Sequence, residues 1–439
     1  MVMMLPMIVL LSMTCVVLVV GLFSQRFVYV LSQLTLITVL LLSLSSFAAS
    51  LTMVLALFVF VYAKKELSRL QLAHSEFYAL CLFSLLGMLV MLSADNLMTL
   101  YLAIELMSLP LYTLCAFQRK LISGSEAAIK YFVTGAIASG FLLYGISLVY
   151  GASGSFDFAV IGTQPQFLLL VGMVFILAGF AFKVGLVPFH MWAPDVYEGA
   201  PTYSALFLAT IPKLATVVLL ARLFYMSFSG SHVEWMQLMN VLAVLSIFLG
   251  NVVALRQNNI KRLFAYSSIA HMGYAFLALS AGTGFGLSSA IFYIATYVIT
   301  AVGSFGVLTV LNKQGLEFET FDHLAGLNST HPWLAFMMLL FVFSMAGIPP
   351  TVGFVAKLGV LMALVKTHQV YMAVYLVLMA VASVYYYLRI IKVMYFEKTG
   401  VEARYSLASL PVDAVIAISL NGVAVLVLGI VPSWLLGLM

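Results

Sequence analysis

Charge is scarce in this chain of 439 residues: Lys, Arg, Asp and Glu together make up 8%, against roughly 25% in an ordinary soluble domain. So few charged groups cannot cover a soluble surface, which excludes a soluble globular protein. Cysteine is nearly missing as well. Cys15, Cys81 and Cys115 sit inside apolar runs without CxxC spacing, so they point to neither a metal site nor a disulfide framework and read as buried and inert. No HxxxH or HExxH pattern offers a haem or zinc site, and no GxGxxG or P-loop offers a nucleotide site. A basic run with interleaved aromatics is absent, so the formal charge of +5 does not suggest nucleic acid as a partner. The first segment, Met1 to Gly21, lacks a basic n-region and a small-residue cleavage site, and reads as a retained first helix.

What fills the chain is apolar: 64% hydrophobic residues and a mean hydropathy of +1.15. Helices apolar on all faces need a lipid surround. A crossing takes about 20 apolar residues, and candidate spans lie near 5–22, 77–93, 97–117, 127–150, 167–192, 203–226, 236–255, 263–281, 286–311, 333–364, 369–394 and 410–436. The uncharged stretch 28–63 is too long for one ordinary helix and barely long enough for two. Positive charge decides, because loops on the cytoplasm-like side carry the excess of Lys and Arg. Lys64, Lys65 and Arg69, then Arg119 and Lys120, then Arg256, Lys261 and Arg262, then Lys313, then Lys398 and Arg404 mark nearly every second connection. Arg26 joins that side only if 28–63 crosses twice.

The expectation is an all-α polytopic membrane protein of about 14 transmembrane helices. N-terminal helices occupy 1–76, one five-helix repeat 77–226, a second 227–400 and a last helix 401–439. Pro188 and the pair Pro349–Pro350 break a helix in each repeat, the fourth in both. Five crossings per repeat invert the second copy, the arrangement of transporters with discontinuous helices.

Ionisable groups inside such spans are costly, from about 3 to more than 10 kcal/mol by different measures. Glu105, Lys183, Lys213 and Lys357 lie well inside spans, while Lys130 is near enough to the start of its helix to snorkel. Lys183 precedes one helix break and Lys357 follows the other. A buried lysine loses its proton readily unless a carboxylate is close, so moving that partner switches its proton affinity. Glu105 and Lys183 are the candidate pair. His271, early in a helix behind Ser267 and Ser268, is a further candidate for a proton path. No residue suggests a bound metal or cofactor.

The segments IELMSLPLYTL around Glu105, FKVGLVPFHMWAPDVYEGAPT from Phe182, NNIKRLFAYSSIAHMGY from Asn258 and AGIPPTVGFVAKL from Ala346 resemble one family. It is that of the antiporter-like membrane subunits shared by complex I and multisubunit cation/proton antiporters; within it the chain is most similar to N-type subunits of proton-pumping NADH:quinone oxidoreductase. The resemblance covers most of residues 75–400, and DVYEGAP is its most specific part. It implies fourteen helices with two inverted five-helix repeats, and proton transfer through two half-channels joined at mid-membrane. Glu105 and Lys183 match the first half-channel pair, Lys213 the connecting lysine, Lys357 the lysine of the second broken helix and Lys130 a further family lysine. It further implies no redox centre in this chain, with NADH and quinone handled by other subunits, and membrane subunits of the same complex as partners in a bacterial inner membrane. The run Phe27 to Tyr62 departs from the pattern, since members usually carry a longer connection there.

Two functions compete. One is a pump module in a redox-driven complex; the other is a transporter exchanging Na⁺ or K⁺ for protons. A hard cation wants several oxygen ligands. Glu105 is the one acidic residue well inside a span, and lysines dominate, which favours protons alone.

Overall fold

The computed structural model describes residues 4–161, 167–312, 317–398 and 410–439. Lys313, Arg404 and the expected boundary between 400 and 401 lie outside the described residues. The elements are α1 Met4–Phe23, α2 Val28–Leu42, α3 Phe47–Arg69, α4 Ser75–Ser93, α5 Leu97–Cys115, α6 Ile122–Ser153, α7 Phe167–Val184, α8 Trp192–Gly199, α9 Thr202–Leu208 and α10 Ile211–Ser227. They continue with α11 His232–Ala254, α12 Ile260–Leu279, α13 Gly284–Leu311, the short α14 Phe321–Leu324 and α15 Leu327–Thr330, then α16 Pro332–Ala346, α17 Val352–Lys366, α18 Val370–Phe396, α19 Val412–Ile430 and α20 Ser433–Leu436.

Eleven stretches of helix among the described residues are long and apolar enough to cross a membrane. The short α2, the more polar α12 and the broken pair α16–α17 bring the crossings to the expected fourteen. The stretch 28–63 forms two helices, as Arg26 suggested, with the second running on to Arg69.

The chain divides into two compact units. The first holds Met1–Leu57, Leu72–Pro201 and Ile211–Leu242; the second holds Phe58–Gln71, Thr202–Thr210 and Ala243–Met439. In the first, α4 packs on α5, α1 and α10, and α6 on α5, α7 and α8. In the second, α13 is the hub, touching α9, α12, α16, α17 and α19 and buried along its length.

The same local geometry occurs in both units. Lipid tails are as apolar as Leu, so helices in a bilayer are held by close packing of small residues and not by apolar burial. At Gly87 of α4 a Cβ would stand 2.9 Å from the Ala103 carbonyl and 2.8 Å from the Met107 Cα of α5. At Gly250 of α11 it would stand 2.8 Å from the Tyr266 carbonyl and from the Ala270 nitrogen of α12, the same sixteen and twenty residues onward. Both partner helices begin with an asparagine cap: Asn96 accepts from the Thr99 N–H at 2.8 Å and Asn259 from the Arg262 N–H at 3.0 Å. Each cap also forms an isolated bridge to a residue 61 further on, Asn96 to Asp157 and Asn259 to Thr320.

The breaks match too. Gly185 (φ 83°) and Gly347 (φ 82°) end α7 and α16 in the left-handed conformation that glycine adopts at no steric cost. In each, the glycine N–H and the next one fold back on the last helical carbonyls: Gly185 to Ala181 and Phe182, Gly347 to Phe343 and Ser344. A proline in a cis peptide follows three residues after each glycine, Pro188 and Pro350.

Of the cysteines, Cys81 and Cys115 are buried free thiols as expected, but Cys15 is exposed. It lies on the outward side of α1, where apolar neighbours such as Leu11, Val16 and Val19 are also exposed. An apolar run in a lipid-facing helix carries no mark of which face turns inward.

Candidate proton-transfer site

In the first unit the site grows from α5, α6 and α7. Glu105 on α5 is half-buried and accepts a hydrogen bond from the Ser139 hydroxyl of α6. One turn further along α5, the Ser108 hydroxyl donates to the Ile104 carbonyl at 2.6 Å and accepts from the Lys183 ammonium at 2.8 Å. Lys183, 7% exposed in the last turn of α7, also donates to the Tyr112 hydroxyl at 3.3 Å. No ion pair within 4.0 Å joins Glu105 to Lys183. The expected pair is not in contact: Ser108, one turn along α5 from Glu105, holds the ammonium instead.

Lys213 on α10 is 2% exposed, its ammonium 5.4 Å from the centre of the Tyr197 ring. That distance permits a cation–π contact, which is strongest when desolvated. Lys130 differs from the other lysines. Its side chain is 45% exposed and paired with Glu126 at 2.8 Å and with Asp195 at 3.0 Å. It snorkels outward instead of joining the interior.

In the second unit Lys357 of α17 is 8% exposed and donates to the Ala346 carbonyl at 2.7 Å, one of the groups freed where α16 ends. It shares the wall of a small cavity with His271, Tyr293, Tyr297, Thr300 and Ser344. His271 is 6% exposed and engaged on both ring nitrogens, Nδ1 with the Tyr293 hydroxyl at 2.7 Å and Nε2 with the Tyr387 hydroxyl at 3.0 Å. Tyr387 in turn meets the Ser267 hydroxyl. Ser267, Tyr387, His271 and Tyr293 thus form a continuous hydrogen-bonded line, and the last two reach the cavity of Lys357. A neutral imidazole donates from one nitrogen and accepts at the other, so this line can pass a proton by switching tautomers.

Counted from the break glycines, the units carry different groups on one framework. Two residues before Gly185 is Lys183 and two before Gly347 is Met345; ten after is Asp195 in one and Lys357 in the other.

The family profile described as NADH:quinone oxidoreductase/Mrp antiporter, TM matches residues 94–383. The chain is 48% identical to NADH-quinone oxidoreductase subunit N of Coxiella burnetii over 87% of this chain and 80% of that one, and 42% identical to the protein of the same name from Thioalkalivibrio sulfidiphilus over 99% and 96%. This chain belongs to the subunit N family of NADH-quinone oxidoreductase. It is a multi-pass, all-α membrane protein. Its structure is similar to a chain of respiratory complex I from Thermus thermophilus with bound aureothin, at a TM-score of 0.84, 30% identity and 98% coverage of both chains. A chain of the Mrp complex of Dietzia sp. shares the fold at a TM-score of 0.87 and 19% identity, covering 100% of this chain and 95% of that one.

Sequence reasoning missed several groups. Lys261, read as a loop marker, is 1% exposed and paired with Glu317 at 2.9 Å and Glu319 at 2.6 Å. Glu66 is 2% exposed within α3, a carboxylate buried more deeply than the expected Glu105. Tyr293 and Tyr387 gave no signal, because an aromatic in an apolar helix reads as packing. Ser108 was hidden in the same way, though its i+3 spacing from Glu105 could have flagged it.

Proposed function

We propose that this chain is a proton-translocating membrane subunit of NADH:quinone oxidoreductase, working beside other membrane subunits of that complex in a bacterial inner membrane. In this reading Glu105, Lys183, Lys213, His271 and Lys357 carry the proton, and redox chemistry with NADH and quinone takes place in other subunits. The observation that supports it most is the buried Lys183 ammonium hydrogen-bonded to Ser108, one helical turn from Glu105. A desolvated ammonium held by neutral hydroxyls, with a carboxylate nearby but not touching, is poised to gain or lose its proton as that carboxylate moves or titrates.

Exchange of Na⁺ or K⁺ is the weaker reading, since a metal cation beside Glu105 would meet one carboxylate, one serine hydroxyl and a repelling ammonium. Lys130 fits a supporting role, fixing Asp195 at the start of α8 through an outward ion pair. Glu105→Gln keeps the Ser139 contact and removes the charge, so it should assemble normally and lose most proton pumping in membrane vesicles. Normal pumping in a fully assembled Gln variant overturns the role given to Glu105.

A further inference from the structure

At the end of α3 in the second unit, a cluster of charge lies outside the path just described. The Lys261 ammonium is held by Glu317 Oε2 at 2.9 Å and Glu319 Oε1 at 2.6 Å, and the Thr202 hydroxyl donates to the same Glu317 oxygen at 2.7 Å. Asn312 ties the cluster to α3: its Nδ2 donates to Glu66 Oε1 at 2.9 Å, and its carbonyl accepts from the Arg69 guanidinium. The second oxygen of Glu66, Oε2, is buried and has no hydrogen-bond partner among the described residues. Tyr203 of α9 lies within electrostatic reach of Glu66 and of Glu317.

Among the described residues, Glu66, Glu317 and Glu319 lie close to Lys261 and Arg69. Glu317 and Glu319 both pair with Lys261, and the Arg69 contact goes to a backbone carbonyl. Glu66 itself is held only by a neutral amide on Oε1, with Oε2 bare among the described residues. An ionised carboxylate with one bare, desolvated oxygen is too costly to persist, and the inexpensive remedy is a proton.

We propose that Glu66 is a proton-carrying acid at the basic end of the second unit, an uptake station for the transfer path, resting on the proton-pumping reading above. Uptake forms an O–H bond at Oε2 as one breaks on an incoming hydronium; release reverses it. Glu317 and Glu319, whose side chains are 22% and 34% exposed, put solvent-reaching carboxylates near the buried acid. The basic connections Lys64, Lys65 and Arg69 put this end on the cytoplasm-like side. Along α12, Ser268 stands seven residues past Lys261 on the same face, about 10 Å up the axis toward His271.

The test is Glu66→Gln in the assembled complex. Gln Oε1 still accepts from Asn312, so packing is kept and titration is lost. Infrared spectra of the resting wild-type complex should contain the C=O stretch of a protonated carboxylic acid that the Gln variant lacks, and pumping should fall about tenfold or more. Glu66→Asp should keep a shifted band and part of the activity. An unchanged carboxyl band, or full pumping in the Gln variant at normal abundance, overturns the proposal. So does loss of assembly in both variants, which makes Glu66 a structural tie. The resting spectrum needs no turnover, so it separates failure here from failure of the pumping reading, which Glu105→Gln decides.

Discussion

Replacing Ser108 with Ala tests the environment of Lys183 more sharply than deleting the lysine. The Ser108 hydroxyl is the nearer of the two acceptors of the ammonium, at 2.8 Å against 3.3 Å for Tyr112. A hydrogen bond to a charged group is worth about 1.5–3 kcal/mol, and each 1.36 kcal/mol is one unit of pH. Only the charged form makes strong use of that acceptor, so its loss favours the neutral amine. The alkaline limb of the pumping profile should move to lower pH by about one to two units. Helix α5 should tolerate the change, since Ala is the best helix former. The assay is proton uptake in membrane vesicles from pH 6 to 9 or so at matched complex abundance, with Ser108→Thr as the control that restores the hydroxyl. A profile that stays in place, or one that the Thr variant does not restore, refutes the reasoning.

Lys357→Ala leaves the Ala346 carbonyl without its 2.7 Å donor and removes the one ammonium lining the cavity; pumping and quinone reduction should slow together, measured in membranes with normal subunit abundance. Tyr387→Phe removes the hydroxyl between Ser267 and His271 and should slow pumping while leaving thermal stability of the complex nearly unchanged; normal pumping would take Tyr387 out of the line.

The fold was legible because the bilayer simplifies it: every backbone group must be satisfied inside a segment, so apolar length and basic loops suffice to count crossings. The side chains beside the breaks were legible because charge in an apolar run stands out. Glu66 and Lys261 failed that test for one reason. Both lie within a turn or so of a helix end, where sequence alone assigns a charge to water, and their burial comes from Asn312 and the segment 317–319, far away in the chain. The spacing of the repeats was readable, but the identity between them was not. What the two units keep is backbone: Gly87 and Gly250, Asn96 and Asn259, Gly185 and Gly347 are demanded by close approach, capping and left-handed turns.

That division between a kept backbone and freely varied side chains bears on mechanism. Ser108 stands twelve residues after Asn96 and touches Lys183; His271 stands twelve after Asn259 and shares a cavity with Lys357. Lys183 precedes its break and Lys357 follows its own, so the ammonium is offered from opposite sides of a like-shaped gap. In the first unit its partners are hydroxyls, with the Glu105 carboxylate one helical turn from Ser108. In the second its partner is a freed backbone carbonyl beside a tyrosine–histidine line, with no carboxylate among the residues lining the cavity. An ammonium without a counter-charge holds its proton less firmly than one with a carboxylate near. On one backbone, the two fillings surround the ammonium with different chemistry, hydroxyls near a carboxylate in one and a freed carbonyl beside a tyrosine–histidine line in the other.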